Sequence, residues 1–147
     1  MAVDSTLPVR RAILTAMKNS PAINELLPAE HIFTSVPPPS PPWPFSRYEN
    51  YGPSSPIIAT CLDGQELNVR IHVFAKPREV AGITVETGED HACRIMGRVA
   101  DGLDQRRYNI DRGQMLVMWR GSLVLPDGDE ADAFHGIVNL RIRTSTA

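Results

Sequence analysis

The residue of this chain best suited to acid–base chemistry is His72, which lies in a run where polar and aliphatic residues alternate. Positions 67, 69, 71 and 73 are aliphatic, whereas Glu66, Arg70 and His72 lie between or beside them. Alternate side chains of a strand point to opposite faces, so His72 and Glu66 share the polar face of a predicted strand. An imidazole near a carboxylate suits a general base, and one hypothesis is a small enzyme or ligand-binding domain that uses this pair. The pattern favours the alternative, a histidine on a solvated or subunit-covered sheet face.

Two further groups have the residue types of a metal site but lack its spacing. His91 and Cys93 have no partner pair at zinc spacing, which favours a histidine at a helix N-terminus and a buried cysteine. An acidic group near the C-terminus lacks the regular ligand positions of a calcium loop, which favours a solvated turn; it comprises Asp127, Asp129, Glu130 and Asp132. The chain has no P-loop, dinucleotide-binding turn, nucleophile elbow or zincin helix. We therefore predict no catalytic residue, no metal and no cofactor.

The strand that carries His72 needs an apolar partner, and the stretch 88–103 supplies one. Its apolar residues are spaced three and four apart, which predicts a helix with one apolar stripe: Ala92, Ile95, Met96, Val99 and Leu103. Thr87 fits the N-cap of this helix, and Gly97 in its interior predicts a close packing contact. We expect the aliphatic face of the strand to pack on this stripe.

The rest of the pattern predicts an α+β fold in a single domain, residues 1–147. Residues 7–28 have the caps and apolar stripes of two helices that form an N-terminal corner. Alternation and turn signals predict a sheet with a central helix over residues 45–144; its strands are 45–51, 66–75, 115–125 and 133–143, with a short extended piece at 57–62 that ends in a turn at Asp63 and Gly64. We predict an antiparallel sheet of about four strands with the helices packed on one face.

Residues 37–44 form a proline-rich connector, since six prolines lie between Val36 and Phe45. Such a stretch favours polyproline II over the surface. One hypothesis is an adaptor whose proline segment binds an aromatic groove of another domain. The favoured alternative is a stiff connection that Trp43 and Phe45 pin to their own domain.

Residues 76–87 form a long predicted loop, and long loops without their own structure are usually functional or disordered. The loop carries Val80, Ile83 and Val85 close to the charged Lys76 and Arg78. Three aliphatic residues on a solvent loop make a plausible contact patch. We predict a docking element for a neighbouring subunit or ring; the alternative is that Ile83 and Val85 tuck under the sheet edge.

Charge and composition exclude several classes of protein. The formal net charge of −2 gives no electrostatic footprint for nucleic-acid binding. No apolar run approaches the roughly 20 residues that span a bilayer. Cys61 and Cys93 are too few for a disulfide scaffold, and we expect both to be reduced.

Four stretches together resemble the tail-completion, or tail-terminator, proteins of long-tailed bacteriophages and related prophage elements. They span nearly the whole chain: 9–14 followed by 26–28, 31–33 followed by 43–45, 67–75 with its loop and helix, and 134–143. The resemblance implies a small α+β subunit of a ring, usually of six copies, that caps the tail tube and joins the tail to the head–tail connector.

The same resemblance implies that DNA passes through the lumen of the ring without specific binding. It implies a place in the neck of the virion, with the host cytoplasm as the site of assembly, and no membrane partner. The expected interface residues are those of the long loop and the proline connector: Lys76, Arg78, Val80, Ile83, Val85, Trp43 and Phe45. The acidic residues of the predicted turn between the last two strands are expected to face the lumen or a partner.

Overall fold

A computed structural model describes residues 3–59 and 62–146 of the chain. Within these residues the α-helices are α1 (Thr6–Lys18), α2 (Pro21–Asn24) and α3 (Gly88–Leu103), and a short 3-10 helix covers Ala29–His31. The strands are β1 (Ile32–Phe33), β2 (Phe45–Asn50), β3 (Ser55–Ala59), β4 (Leu62–Ala75), β5 (Arg78–Val80), β6 (Ile83–Glu86), β7 (Arg107–Ile110), β8 (Gly113–Pro126) and β9 (Phe134–Thr146). The mixed α+β class is therefore confirmed.

The main sheet is larger than the predicted four strands. In the described part of the chain it has seven strands in the order β1-β2-β4-β9-β8-β7, with β3 also paired to β4. All its pairs are antiparallel except β1 with β2. The underestimate has a physical cause, because β1, β3 and β7 have five residues or fewer and are too short to show clear alternation.

The predicted turn at Asp63 and Gly64 is wrong, since both residues lie inside β4 and pair with β3 and β9. A Cβ on Gly64 would lie 2.0 Å from the carbonyl oxygen of Thr144. This glycine marks a close approach between two strands rather than a reversal of the chain. Cys61 lies outside the described residues.

The core forms at the predicted contact between the central strand and the helix stripe. The aliphatic face of β4 is buried, with Ile71 1% exposed and Val73 fully buried, and the whole α3 stripe is buried with it. Helix α3 lies against β4, β8 and β9, whereas α1 lies against β1 and β7. The pairing of the strand with the helix stripe is confirmed, and α1 adds Val9, Ile13 and Met17 to the same cluster.

An N-cap begins helix α3, and a close contact at a glycine packs it against α2. The Thr87 hydroxyl accepts a hydrogen bond from the Asp90 N–H at 3.1 Å, as predicted for its N-cap. The expected close contact at Gly97 is wrong, because a Cβ there would meet no atom within 4 Å. The close contact lies at Gly102, where a Cβ would be 3.0 Å from Cδ1 of Ile23 in α2.

The predicted loop 76–87 is a small β-ribbon instead. Strands β5 and β6 pair with each other and form a sheet of their own. Ala81 and Gly82 make the turn with φ values of 52° and 78°, the backbone conformation that two-residue hairpins require. We call residues 78–86 the ribbon. No helix in the described ranges is both long and apolar enough to span a membrane.

Candidate functional site

The base of the ribbon is fixed to helix α3. The Glu86 carboxylate accepts two hydrogen bonds from the Arg94 guanidinium, both 2.8 Å, and a longer one of 3.4 Å from Arg78. The bond from Arg94 is the main reason that the pKa of Glu86 lies below its ordinary value. The ring of His91 contacts the carbonyl oxygen of Lys76 at 2.9 Å and closes the other side of the base. A two-stranded ribbon is marginal alone, so these contacts hold it in place.

The tip of the ribbon presents an apolar face to solvent. Val80 is 54% exposed, Ile83 68% and Val85 50%. Val80 and Ile83 are direct cross-strand partners, so their side chains share one face, and Val85 follows at a β-bulge, where it has no cross-strand partner. The alternative that Ile83 and Val85 tuck under the sheet edge is wrong.

The end of the proline connector packs beside the base of the ribbon. Phe45 is buried and stacks on Phe74, with ring centroids 4.7 Å apart. Trp43 meets Phe45 edge-on at 5.0 Å, and the Lys76 ammonium lies 4.5 Å from the centroid of the Trp43 ring. Residues 34–44 form no helix or strand. The two aromatic residues thus attach the connector to its own chain, and only Trp43 retains part of its surface.

The acidic turn, residues 127–132, lies at the same end of the molecule. Glu130 pairs with Lys76 at 3.5 Å, so Lys76 contacts both the acidic turn and Trp43. The Asp127 carboxylate accepts a hydrogen bond from the Asp129 N–H at 3.2 Å and holds the turn locally. A Cβ on Gly88 would lie 2.2 Å from the Asp132 carbonyl oxygen, which shows how closely the turn packs on α3. The structure therefore brings together three groups that are far apart in sequence.

His72 does not pair with Glu66, so the structure does not support the less favoured hypothesis of an acid–base pair formed by these two residues. His72 Nε2 lies 3.0 Å from Oε1 of Glu49, and its Nδ1 lies 2.7 Å from Nε2 of His135. Glu66 is instead bound by two arginines of β9, Arg141 at 3.4 Å and Arg143 at 3.0 Å. The partners of His72 lie on neighbouring strands, which residue spacing within β4 cannot reveal.

The positions of the protons in this cluster follow from which of its groups can donate a hydrogen bond. The Glu49 carboxylate can only accept, so Nε2 of neutral His72 carries the ring proton and donates a hydrogen bond to it. Nδ1 of His72 therefore accepts a hydrogen bond from the Nε2–H of His135. Burial lowers the pKa of His72 and takes the pKa of His135 down to about 4. The hydrogen bond from His72 lowers the pKa of Glu49. His72 is 4% exposed and uses both nitrogens internally, so it offers no base to a substrate.

His91 and Cys93, the other candidates for a chemical site, lie in different environments. His91 is buried and serves the ribbon base, whereas Cys93 is free and exposed, so the expected buried cysteine is wrong. Among the residues that the structure describes, no group of three or more His, Cys, Asp or Glu side chains could hold a metal ion.

A groove of ≈ 640 Å³, which no sequence pattern predicted, lies between α1 and β7. Its apolar lining includes Leu7, which is 41% exposed, with Ala12 and Ala16 of α1 and Tyr108 and Ile110 of β7. The four-residue strand β7 gave no clear periodic signal. An exposed leucine at the start of an amphipathic helix was the only available hint.

Three comparisons with known proteins bear on this geometry. Residues 11–145 match the family model described as Tail completion protein gp17. No curated protein matches the chain in sequence. A chain from a solved structure titled "Virion of native gene transfer agent (GTA) particle" has a TM-score of 0.73 and 14% identity, covering 98% of this chain and 99% of that one. At that identity the likeness shows a shared fold.

Proposed function

Because the chain belongs to the tail completion protein gp17 family, and is thus a structural phage tail protein and not an enzyme, we propose that it forms a ring that caps the tail tube. The ring contains six copies, and its second face joins the head–tail connector or stopper protein. It resides in the tail and neck of the virion and assembles in the host cytoplasm.

The observation that carries this proposal is the ribbon. Its base is tied to α3 by Arg94 and His91, yet its apolar face has nothing over it within the described chain. Three large aliphatic side chains, each at least half exposed on a fixed support, are the signature of a surface that a partner covers. Trp43 and the acidic turn lie near the base and extend this surface.

Charge supports the passage of DNA through the proposed ring. A subunit with a formal net charge of −2 does not supply the excess of lysine and arginine that neutralises phosphates. Such a ring lets the duplex slide past without holding it. In this proposal the acidic turn faces the lumen or the connector.

The proposal is tested by complementing particles that lack the protein. Without it, tails should have uncontrolled length or be separated from heads. The wild-type chain should restore joined tails, whereas the triple variant Val80→Ser, Ile83→Ser and Val85→Ser should not, because assembly loses its apolar contact. Electron micrographs of the particles measure both effects.

The matched control is Ile58→Ser, which removes an 86% exposed isoleucine from β3. Both variants should melt close to the wild-type temperature, since surface substitutions usually change stability by about 0.5 kcal/mol or less. Normal joined tails in the absence of the protein would overturn the proposed function. Full rescue by the triple variant would show that the ribbon does not contribute to the proposed function.

A further inference from the structure

We propose that the ribbon of one copy binds the groove between α1 and β7 of the next copy, with β5 adding to the free edge of β7. This inference rests on the proposed ring and names the surface that joins its subunits. Both halves of the contact belong to the same chain, and each lacks a partner within the described residues.

The edge of β7 has main-chain groups available for pairing. The Val117 N–H donates to the Arg106 carbonyl, and the Gln105 N–H donates to the Val117 carbonyl. Hydrogen-bonded and non-bonded pairs alternate in an antiparallel ladder, so the main-chain groups of Arg107 and Asn109 point away from β8. An edge strand of this kind accepts a further strand.

The ribbon and strand β7 each have one apolar and one polar face. Tyr108 and Ile110 are half-buried and line the groove together with the exposed Asn109, whereas Arg107 is exposed and is not part of the groove lining. If β5 lies beside β7, the apolar ribbon face covers the groove. The opposite ribbon face then places Glu79 on the side of Arg107.

Charge complementarity identifies the occupant as a second copy. Glu79 is exposed on β5 and makes no ion pair with another described residue. The same holds for Arg107 on β7 and for Arg11 on the rim of the groove. The acidic turn lies beside the ribbon, with its Glu130 paired to Lys76. On the other half, Arg106 and Arg112 flank β7, and Asp111 lines the groove. Opposite charges at two surfaces favour contact between them.

Distance prevents a chain from filling its own groove. The ribbon follows Ala75, which pairs with Phe134 at the start of β9. Strand β7 pairs with the start of β8, whose Gly113 pairs with Thr146 at the end of β9. The two surfaces thus lie roughly 35–40 Å apart along β9, given about 3.4 Å per residue. A contact between different surfaces on successive copies is heterologous and closes into a ring when its rotation permits.

A charge exchange tests the contact. Glu79→Arg and Arg107→Glu should each lower the number of copies per purified tail by about tenfold, because each places like charges together. The double variant Glu79→Arg/Arg107→Glu restores opposite charges and should recover incorporation to within about twofold of wild type. Mass spectrometry of purified tails counts the copies, and melting temperatures confirm that all variants fold.

The matched control is Arg120→Glu, an exposed arginine on β8, which should leave incorporation unchanged. No loss in either single variant would overturn the contact, and so would loss without recovery in the double variant. In either case the proposed function would stand if the apolar ribbon variant still failed to assemble. If tails form normally without the protein at all, the proposed function itself fails.

Discussion

At the scale of single residues, the open face of the sheet is organised by a short chain of hydrogen bonds. His135 donates to His72, and His72 donates to Glu49. Phe74 stacks on His135 at 4.3 Å and closes the space above the cluster. A histidine on a polar sheet face is therefore buried by side chains of the same face. The role of His72 is structural, and its burial in the fold lowers its pKa.

The first prediction is that the chain loses stability in mild acid because of His135. Its folded pKa is about 4, below the ordinary 6.5, so the unfolded chain binds the proton first. The stabilisation is complete above pH 6.5 and declines as the pH falls toward 4. The free energy of unfolding should drop by about 1–2 kcal/mol between pH 7 and pH 5.

Urea unfolding at both pH values measures this effect. The groups that face His135 are His72, Arg47, Asp127 and Glu49. The variant His135→Gln keeps a donor near His72 but cannot titrate, and it should show a smaller loss. Equal losses in the two proteins would assign the effect to other groups.

The second prediction concerns two core side chains, Ile71 of β4 and Ile95 of α3. Both are buried in the contact between the sheet and the helix, at 1% and 0% exposure. Replacing either with Ala should lower the free energy of unfolding by about 2–5 kcal/mol, because it removes buried methyl groups and leaves a cavity. Urea unfolding at neutral pH measures the change.

The control is Ile83→Ala on the ribbon, where the side chain is 68% exposed. That substitution should change stability by less than about 0.5 kcal/mol. A loss well below 1 kcal/mol at Ile71 or Ile95 would contradict the packing of β4 on α3.

At the scale of elements, helix α3 organises the molecule. One face packs on β4, β8 and β9. Its first turns hold the ribbon through His91 and Arg94, and its C-terminal part receives Ile23 of α2 at Gly102. Arg98 reaches the α2 region as well, donating to the Ala22 carbonyl at 2.7 Å. The helix thus links the core to the proposed docking surface.

The third prediction uses the two glycines of this helix. Gly97→Ala should stabilise the chain by about 0.5–1 kcal/mol, because the new Cβ meets open space and alanine favours helix. Gly102→Ala is the contrasting variant, since its Cβ would press on Ile23 at 3.0 Å and offset that gain. Thermal unfolding of both variants checks the difference; a destabilised Gly97→Ala would contradict the open site.

At the scale of the whole molecule, the long strands β4, β8 and β9 separate two unlike surfaces. The ribbon, Trp43 and the acidic turn lie at one end of β9, and the groove of α1 and β7 lies at the other. Opposed, non-identical surfaces suit successive head-to-tail contacts better than a two-fold dimer. The overall arrangement therefore agrees with the proposed ring.

The sequence by itself determined the elements whose pattern is long. The alternation around His72 and the stripe from Ala92 to Leu103 were sufficient for the core, because periodicity over many residues reports which face is buried. The family resemblance was likewise sufficient for the class of protein, and the match over residues 11–145 confirms it.

Only the tertiary structure decided the short elements and the contacts across strands. The ribbon turn, β1 and β7 are too short for a periodic signal, and their pairing depends on neighbours that are distant in the chain. For the same reason Glu49 and His135, not Glu66, became the partners of His72, since strand register sets which side chains meet. The site of Lys76, Trp43 and Glu130 arose in this way, from three segments that meet only after folding.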